Sequence, residues 1–167
     1  MDKYDVKNLP LPIKPGEMVY FEVEGQIEAI VATSVGIDLD GRLLVVCEDL
    51  KYEIGIEDRA FLTEADAKKY IADIASIPSD YGVIQYKKLK LPCYPGTTYY
   101  FCDDNEFDGW AIFKEDHTYV FFDEDGSVRS GDGESEGYII GGWPNEYFKT
   151  LREAQEYIRE QIELFGE

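Results

Sequence analysis

The chain writes one plan twice, and that repetition limits its possible folds more than any other feature. Residues 9–21 and 89–101 both fit L-x-L-P-x-x-P-G-x-x-x-Y-F, at an offset of 80. Asp38-Leu39-Asp40-Gly41 then matches Asp123-Glu124-Asp125-Gly126 at 85, and Tyr52-x-Ile54-Gly55 matches Tyr138-x-Ile140-Gly141 at 86. Phe61-x-Thr63-x-x-x-Ala67-x-x-Tyr70-Ile71 matches Phe148-x-Thr150-x-x-x-Ala154-x-x-Tyr157-Ile158 at 87. The offset only grows, so the blocks keep their order. Most of the added length falls between Phe101 and Asp123. Repeats of this kind are folding units, and elements are read within them. The expected organisation is a tandem duplication, with a first repeat over 1–78 and a second over 79–167. Units this small bury only roughly 60% of their unfolded surface, so the two are expected to pack on each other.

Each unit reads as α+β: a small antiparallel β meander ending in one C-terminal helix. Pro12-x-x-Pro15-Gly16 excludes helix, because proline removes a donor and glycine permits a turn. Val19–Glu24 alternates apolar and acidic residues, the period of a half-buried strand. Gln26–Ile37 follows as a β-rich region, Asp40-Gly41 marks a hairpin, and 42–48 and 52–56 supply further strands. Thr63 caps a helix that is expected to run until Pro78 stops it. In the second unit the strand candidates are 99–102, 110–114, 117–122, 127–129 and 138–140. Thr150-x-x-Glu153 is a capping box, and Phe148, Leu151, Ala154, Ile158, Ile162 and Phe165 form a helical stripe expected to be core. Short meandering strands after a Pro-Gly entry fit an SH3-like, partly open barrel. A twisted sheet packed on the helix is the alternative.

The formal net charge is −19, with 17 acids against 8 bases in 1–85 and 18 against 8 in 86–167. Residues 103–136 alone hold 12 acids against Lys114 and Arg129. Direct nucleic-acid binding needs a basic face, and anionic membranes need the same, so neither is expected. A protein with a basic surface is the fitting partner. The bland reading is that the charge serves solubility. Cys47, Cys93 and Cys102 show no C-x-x-C spacing, as in reduced cytosolic proteins. The polar start at Met1–Asp5 has no apolar core for a signal peptide, and no stretch reaches the ~18 apolar residues of a membrane span. A cytoplasmic protein is expected.

No motif supplies catalytic chemistry. Asp104, Glu106, Asp108, Gly109 and Glu115 fall near the spacing of a calcium loop. Glu106 stands where Asp or Asn is wanted, however, and the flanks read as strands. An acidic hairpin loop fits better. The Asp-x-Asp-Gly repeats read as tight turns rather than paired catalytic carboxylates. His117 is the only histidine, and a dyad with Cys47, Cys93 or Cys102 has no local signature. Glycines 131, 133, 137, 141 and 142 form no phosphate loop, with Asp132, Glu134 and Glu136 among them to repel phosphate. No cofactor and no metal are expected.

The most suggestive constellation interleaves aromatic and acidic residues. Tyr99, Tyr100, Phe107 and Trp110 are the candidate anchors, as rigid aromatics favoured at interfaces. Asp103, Asp104, Glu106, Asp108, Asp123 and Asp125 are the candidates for steering a basic surface. The competing reading makes the aromatics core and the acids a solvated edge. The expected function is a non-catalytic acidic binding protein that engages a basic site on a partner, such as the nucleic-acid groove of a nuclease or regulator. A structural or assembly module is the alternative.

Pro15-Gly16-x-x-Val19-Tyr20, the strand-rich middle and Phe61-Leu62-Thr63-x-x-x-Ala67 resemble a small module found on mobile elements and prophages of gut Firmicutes. The resemblance covers nearly the whole chain and implies no catalytic residues. It implies an accessory protein such as an inhibitor of host defence, and the chain is similar to anti-CRISPR proteins in being small and acidic. The second copy departs from the pattern at Tyr99, where the first has Val19, and at Lys149, where the first has Leu62.

Overall fold

A computed structural model describes residues 5–106, 109–131 and 147–166, together with the backbone of 138–139. The first half runs β1 (Met18–Val23), β2 (Gln26–Val31), β3 (Ser34–Asp38), β4 (Leu43–Cys47), β5 (Leu50–Glu53), β6 (Ala60–Phe61) and α1 (Glu64–Ala72). The second runs β7 (Thr98–Asn105), β8 (Gly109–Asp116), β9 (Tyr119–Asp123), β10 (Val128–Gly131), β11 (Tyr138–Ile139), β12 (Tyr147–Phe148) and α2 (Leu151–Phe165). The fold is α+β, with antiparallel sheets and a helix closing each half.

The expected Gln26–Ile37 strand region divides at Ala32 and Thr33. Ala32 donates its N–H to Glu17 (2.9 Å), whereas Thr33 donates to Val46 (2.8 Å). Neighbouring residues thus bond to different sheets, and the chain turns between them. α1 stops at Ala72, earlier than Pro78 would require. Asp73 turns extended (φ −160°), and its carboxylate accepts the Ala75 N–H to start a short 3-10 turn at 74–76. The capping box of α2 forms as expected, Thr150 Oγ accepting from Glu153 N and Glu153 Oε2 from Thr150 N. The α2 stripe is only partly core. Ala154 is buried, but Leu151 at the start of the helix and Ile162 and Phe165 in its last turns are exposed.

Three open sheets result: β2-β1-β6, β12-β7-β8, and a central six-stranded sheet β11-β10-β9-β3-β4-β5. Among the described residues no sheet closes into a barrel. β3 and β9, each the third strand of its half, pair with one another instead, from Ser34↔Asp123 through Gly36↔Phe121 to Asp38↔Tyr119. One face of this sheet builds the core. Val35, Ile37, Val45, Val120, Phe122 and Val128 are buried there beside Leu11, Val19, Leu91 and Tyr99. Side chains from both halves thus share one apolar cluster, each large aliphatic member contributing about 1.5–3 kcal/mol. Among the described residues no helix is long and apolar enough to cross a membrane.

Candidate functional site

The sequence insertion is a lengthened hairpin. Met18↔Val31 and Thr98↔Asp116 begin equivalent ladders. β1 and β2 close at Val23↔Gln26 through Glu24 and Gly25, both at positive φ (51° and 79°), as a tight hairpin turn requires. The β7–β8 ladder passes the corresponding pair, Asp103↔Ala111, and continues to Asn105↔Gly109. Two more residues in each strand carry its tip about 7 Å further, at ~3.4 Å per residue. Asp104 lies on this extension, Asp103 at its base and Glu106 in the turn beyond it, and all three are exposed. Among the described residues no ion pair involves any of the three. Phe107 and Asp108 lie outside the described residues, as do Asp132, Glu134, Glu136 and the glycines 133, 137, 141 and 142.

Strand alternation divides the candidate anchors, since successive side chains point to opposite faces. Tyr99 is only 2% exposed. It packs on His117 (4.8 Å) and Tyr147 (5.7 Å) and has no face to offer a partner. Tyr100 is half-buried on the other face, where its neighbour across the ladder is Phe148. Trp110, opposite Asp104, shares that face and meets Tyr157 of α2 edge-on, 6.0 Å between rings at 90°. Asp123 sits in the central sheet, where Arg129 grips it through Nε (2.8 Å) and Nη2 (3.0 Å) and Ser34 donates to it. Asp125 accepts the Ser127 N–H (2.9 Å) to shape its turn. These two carboxylates serve the fold. Asp104 with Trp110 across the ladder, Asp103 on the opposite face and Glu106 at the turn are the presented acids.

The hairpin also separates the ends of the calcium-like spacing. Asp104 faces Trp110, whereas Glu115 faces Tyr99. Five residue steps along β8, about 17 Å at the strand rise, separate those positions, so the two carboxylates cannot share one ion.

A second cluster, buried beneath β7 and β8, is absent from the sequence reading. His117 Nδ1 lies 2.7 Å from Ser130 Oγ and Nε2 3.4 Å from Glu115 Oε2. The Tyr147 hydroxyl donates to the same Glu115 oxygen (3.1 Å). The Tyr99 hydroxyl meets Cys93 Sγ at 2.8 Å. The matching ladder positions in the first half are apolar. Val19 faces Ile30 where Tyr99 faces Glu115, Val45 faces Val35 where Ser130 faces Val120, and Ala60 faces Phe21 where Tyr147 faces Phe101. Ala32 and His117 correspond too, each accepting from the glycine of its Pro-Gly turn. Comparing the sequence-matched core positions of the two halves column by column is the signal that would have revealed this nest.

Glu115, His117 and Ser130 are ordered like a hydrolase relay, but Ser130 is wholly buried, its Oγ held between His117 Nδ1 (2.7 Å) and the Tyr119 carbonyl (3.1 Å), and it has no face to offer a substrate. Burial pushes the Cys47 and Cys93 thiols up, away from the reactive thiolate, and Cys102 Sγ contacts the Ala154 carbonyl at 3.5 Å. Among the described residues no group of His, Cys, Asp and Glu is placed to hold a metal ion.

Comparison with known protein families finds no model that matches the chain, and comparisons with curated proteins and with solved structures find no match either.

Proposed function

We propose that this chain is a non-catalytic acidic binding protein, built as a duplicated module, whose second copy engages a basic site on a partner protein. The observation that carries the reading is the lengthened β7–β8 hairpin. It differs from its first-half counterpart by a projecting tip, and Asp103, Asp104 and Glu106 run from the base of that tip to its turn, exposed and outside the ion pairs. Charges so placed act over a Debye length of ~8 Å and accelerate encounter with a basic surface. Trp110 and Tyr100 supply aromatic area behind them. Acids spaced along an extended hairpin stand in for phosphates, so the nucleic-acid groove of a nuclease or regulator is the fitting target, in the manner of an inhibitor carried by a mobile element. Duplication is supported by the matching order of strands and helix in the two halves and by ladders whose shared pairs fall at the sequence-matched positions.

The test is affinity capture from a bacterial lysate at low and high salt, with an Asp103→Asn/Asp104→Asn/Glu106→Gln variant alongside and DNA as competitor. A nucleic-acid-binding protein that is retained at low salt, lost from the variant and displaced by DNA supports the proposal. Equal retention by wild type and variant overturns it.

One observation favours the alternative of an assembly module. The end of α2 exposes Leu164 (72%) and Phe165 (78%), an apolar tip that a second copy can cover. A sedimentation profile that moves to larger species with concentration supports that reading.

A further inference from the structure

The second unit ends laterally in an open strand. β8 is the edge of sheet β12-β7-β8, paired among the described residues with β7 alone. Its backbone phase follows from one bond. The His117 N–H donates to the Thr97 carbonyl at 3.0 Å. Opposite residues in an antiparallel ladder alternate between bonded and non-bonded pairs. Residues 115, 113 and 111 therefore turn their N–H and C=O toward β7, and Ile112, Lys114 and Asp116 turn theirs outward. Proteins protect such edges by keeping them short, twisted, charged or proline-bearing. β8 is eight residues long, Gly109–Asp116, with no proline and with its charges confined to Lys114, Glu115 and Asp116 at one end, and it presents Phe113 half exposed.

We infer that β8 is a strand-addition edge that takes up an extended lysine- or arginine-bearing segment of a protein partner. Charge complementarity selects that occupant. Asp103, Asp104 and Glu106 flank one end of the edge and Asp116 the other, against Lys114 alone. Main-chain bonds hold an added strand, while alternate side chains read the charge beside it. The corresponding edge, β2 (Gln26–Val31), is shorter, and Glu22 near its turn is already paired with Arg59 at 3.1 Å. The inference rests on the acidic-binding reading above but adds backbone pairing, which can fail separately.

The probe is a capped eight-residue peptide of alternating lysine and valine, added to the full chain. Binding is followed by fluorescence anisotropy and by hydrogen exchange at single amides. Protection at Ile112 and Lys114 is expected. A glutamate–valine peptide, and the lysine peptide N-methylated on its alternate amides, are each expected to bind at least tenfold more weakly. Ile112→Pro removes an outward N–H that β7 does not use, so it is expected to abolish peptide binding with the melting transition kept. The N-methylated peptide decides the matter even if that variant fails to fold. If it binds as well as its parent, the edge inference is overturned and only the charge reading survives. Equal binding of the glutamate peptide overturns the basic occupant. Protection confined to β2 shows the wrong edge was assigned.

Discussion

Gly36 and Phe121 stand opposite each other at the centre of the six-stranded sheet, and the Phe121 ring lies 2.4 Å from where a Cβ on Gly36 would sit. The β3–β9 ladder maps onto itself when residues are shifted by the 85-residue repeat offset, with this pair at its centre. Side chains there share one face and one space, so a large residue on one strand demands none on the other. Gly36→Ala is therefore expected to cost about 1–3 kcal/mol, as overpacking does. Combined with Phe121→Ala it is expected to cost less than the two changes separately, because the second removes the obstacle. Urea denaturation of the four proteins closes the cycle. Additivity within about 0.3–0.5 kcal/mol would show that the ring is not what excludes the Cβ.

The β4–β5 connection offers a gain. Cys47↔Leu50 closes a two-residue turn through Glu48 (φ 49°) and Asp49 (φ 67°). Both residues occupy the left-handed region, which costs an L-residue roughly 1–2 kcal/mol, and neither is glycine. Replacing the pair by Asn-Gly, the preferred sequence for this turn, is expected to stabilise the chain by about 1–2 kcal/mol and raise its melting temperature. An unchanged melting temperature would mean that Glu48 or Asp49 makes a compensating contact.

That turn shows where the sequence was readable and where it was not. Asp40-Gly41 announced its hairpin because glycine marks positive φ. Glu48-Asp49 carried no such mark, since its conformation is imposed by pairing of the flanking strands. Thr150 with Glu153 defined the start of α2 because capping is local chemistry. The end of α1 at Ala72 depends on the Asp73 carboxylate reaching Ala75, a choice no periodicity records. The order of strands within each half follows from turns, but the β3–β9 pairing is a contact between distant segments and had no local signal. For the candidate site, exposure of Asp103, Asp104 and Glu106 was legible from the insertion. Alternation placed Tyr99 in the core and Tyr100 opposite it, and Arg129 claimed Asp123, both consequences of sheet register.

The buried nest is expected to be costly to disturb at Ser130. Its hydroxyl pairs with His117 Nδ1 at 2.7 Å and lies 3.1 Å from the Tyr119 carbonyl, with the side chain wholly buried. Ser130→Ala deprives a buried imidazole of that partner, and such a loss costs about 1–3 kcal/mol. Tyr99→Phe removes only a hydroxyl facing the Cys93 thiol, a weak hydrogen-bonding group, and is expected to cost less. The measurement is chemical denaturation of the two variants beside the wild type. A larger loss from Tyr99→Phe would place the weight of the nest at the thiol instead.

Tyr81 is expected to set the alkaline limit of the α1 region. Its hydroxyl accepts the Leu62 N–H (2.8 Å) and donates to Asp66 Oδ2 (3.3 Å), and its ring packs on Phe61 at 5.4 Å. Burial, reinforced by the Asp66 charge and opposed by the Leu62 bond, pushes its ionisation up to about 12 from the ordinary value of 10. Below pH ~10, the unperturbed tyrosine value, the residue is neutral in both states and contributes no pH dependence. Between about 10 and 12 the unfolded chain loses this proton while the folded chain keeps it. The unfolded state then binds fewer protons, and stability falls as pH rises. Tyr81→Phe is expected to be less stable at neutral pH by about 1–2 kcal/mol, because the Leu62 N–H loses its acceptor. It is also expected to decline less steeply from pH 10 to 12, since the group that releases the proton is gone. The other tyrosines remain in both proteins, so the difference between the two profiles isolates residue 81. Urea denaturation across pH 7 to 11.5 measures it. Parallel profiles would show that the Tyr81 proton is held no more tightly in the folded chain than in the unfolded one.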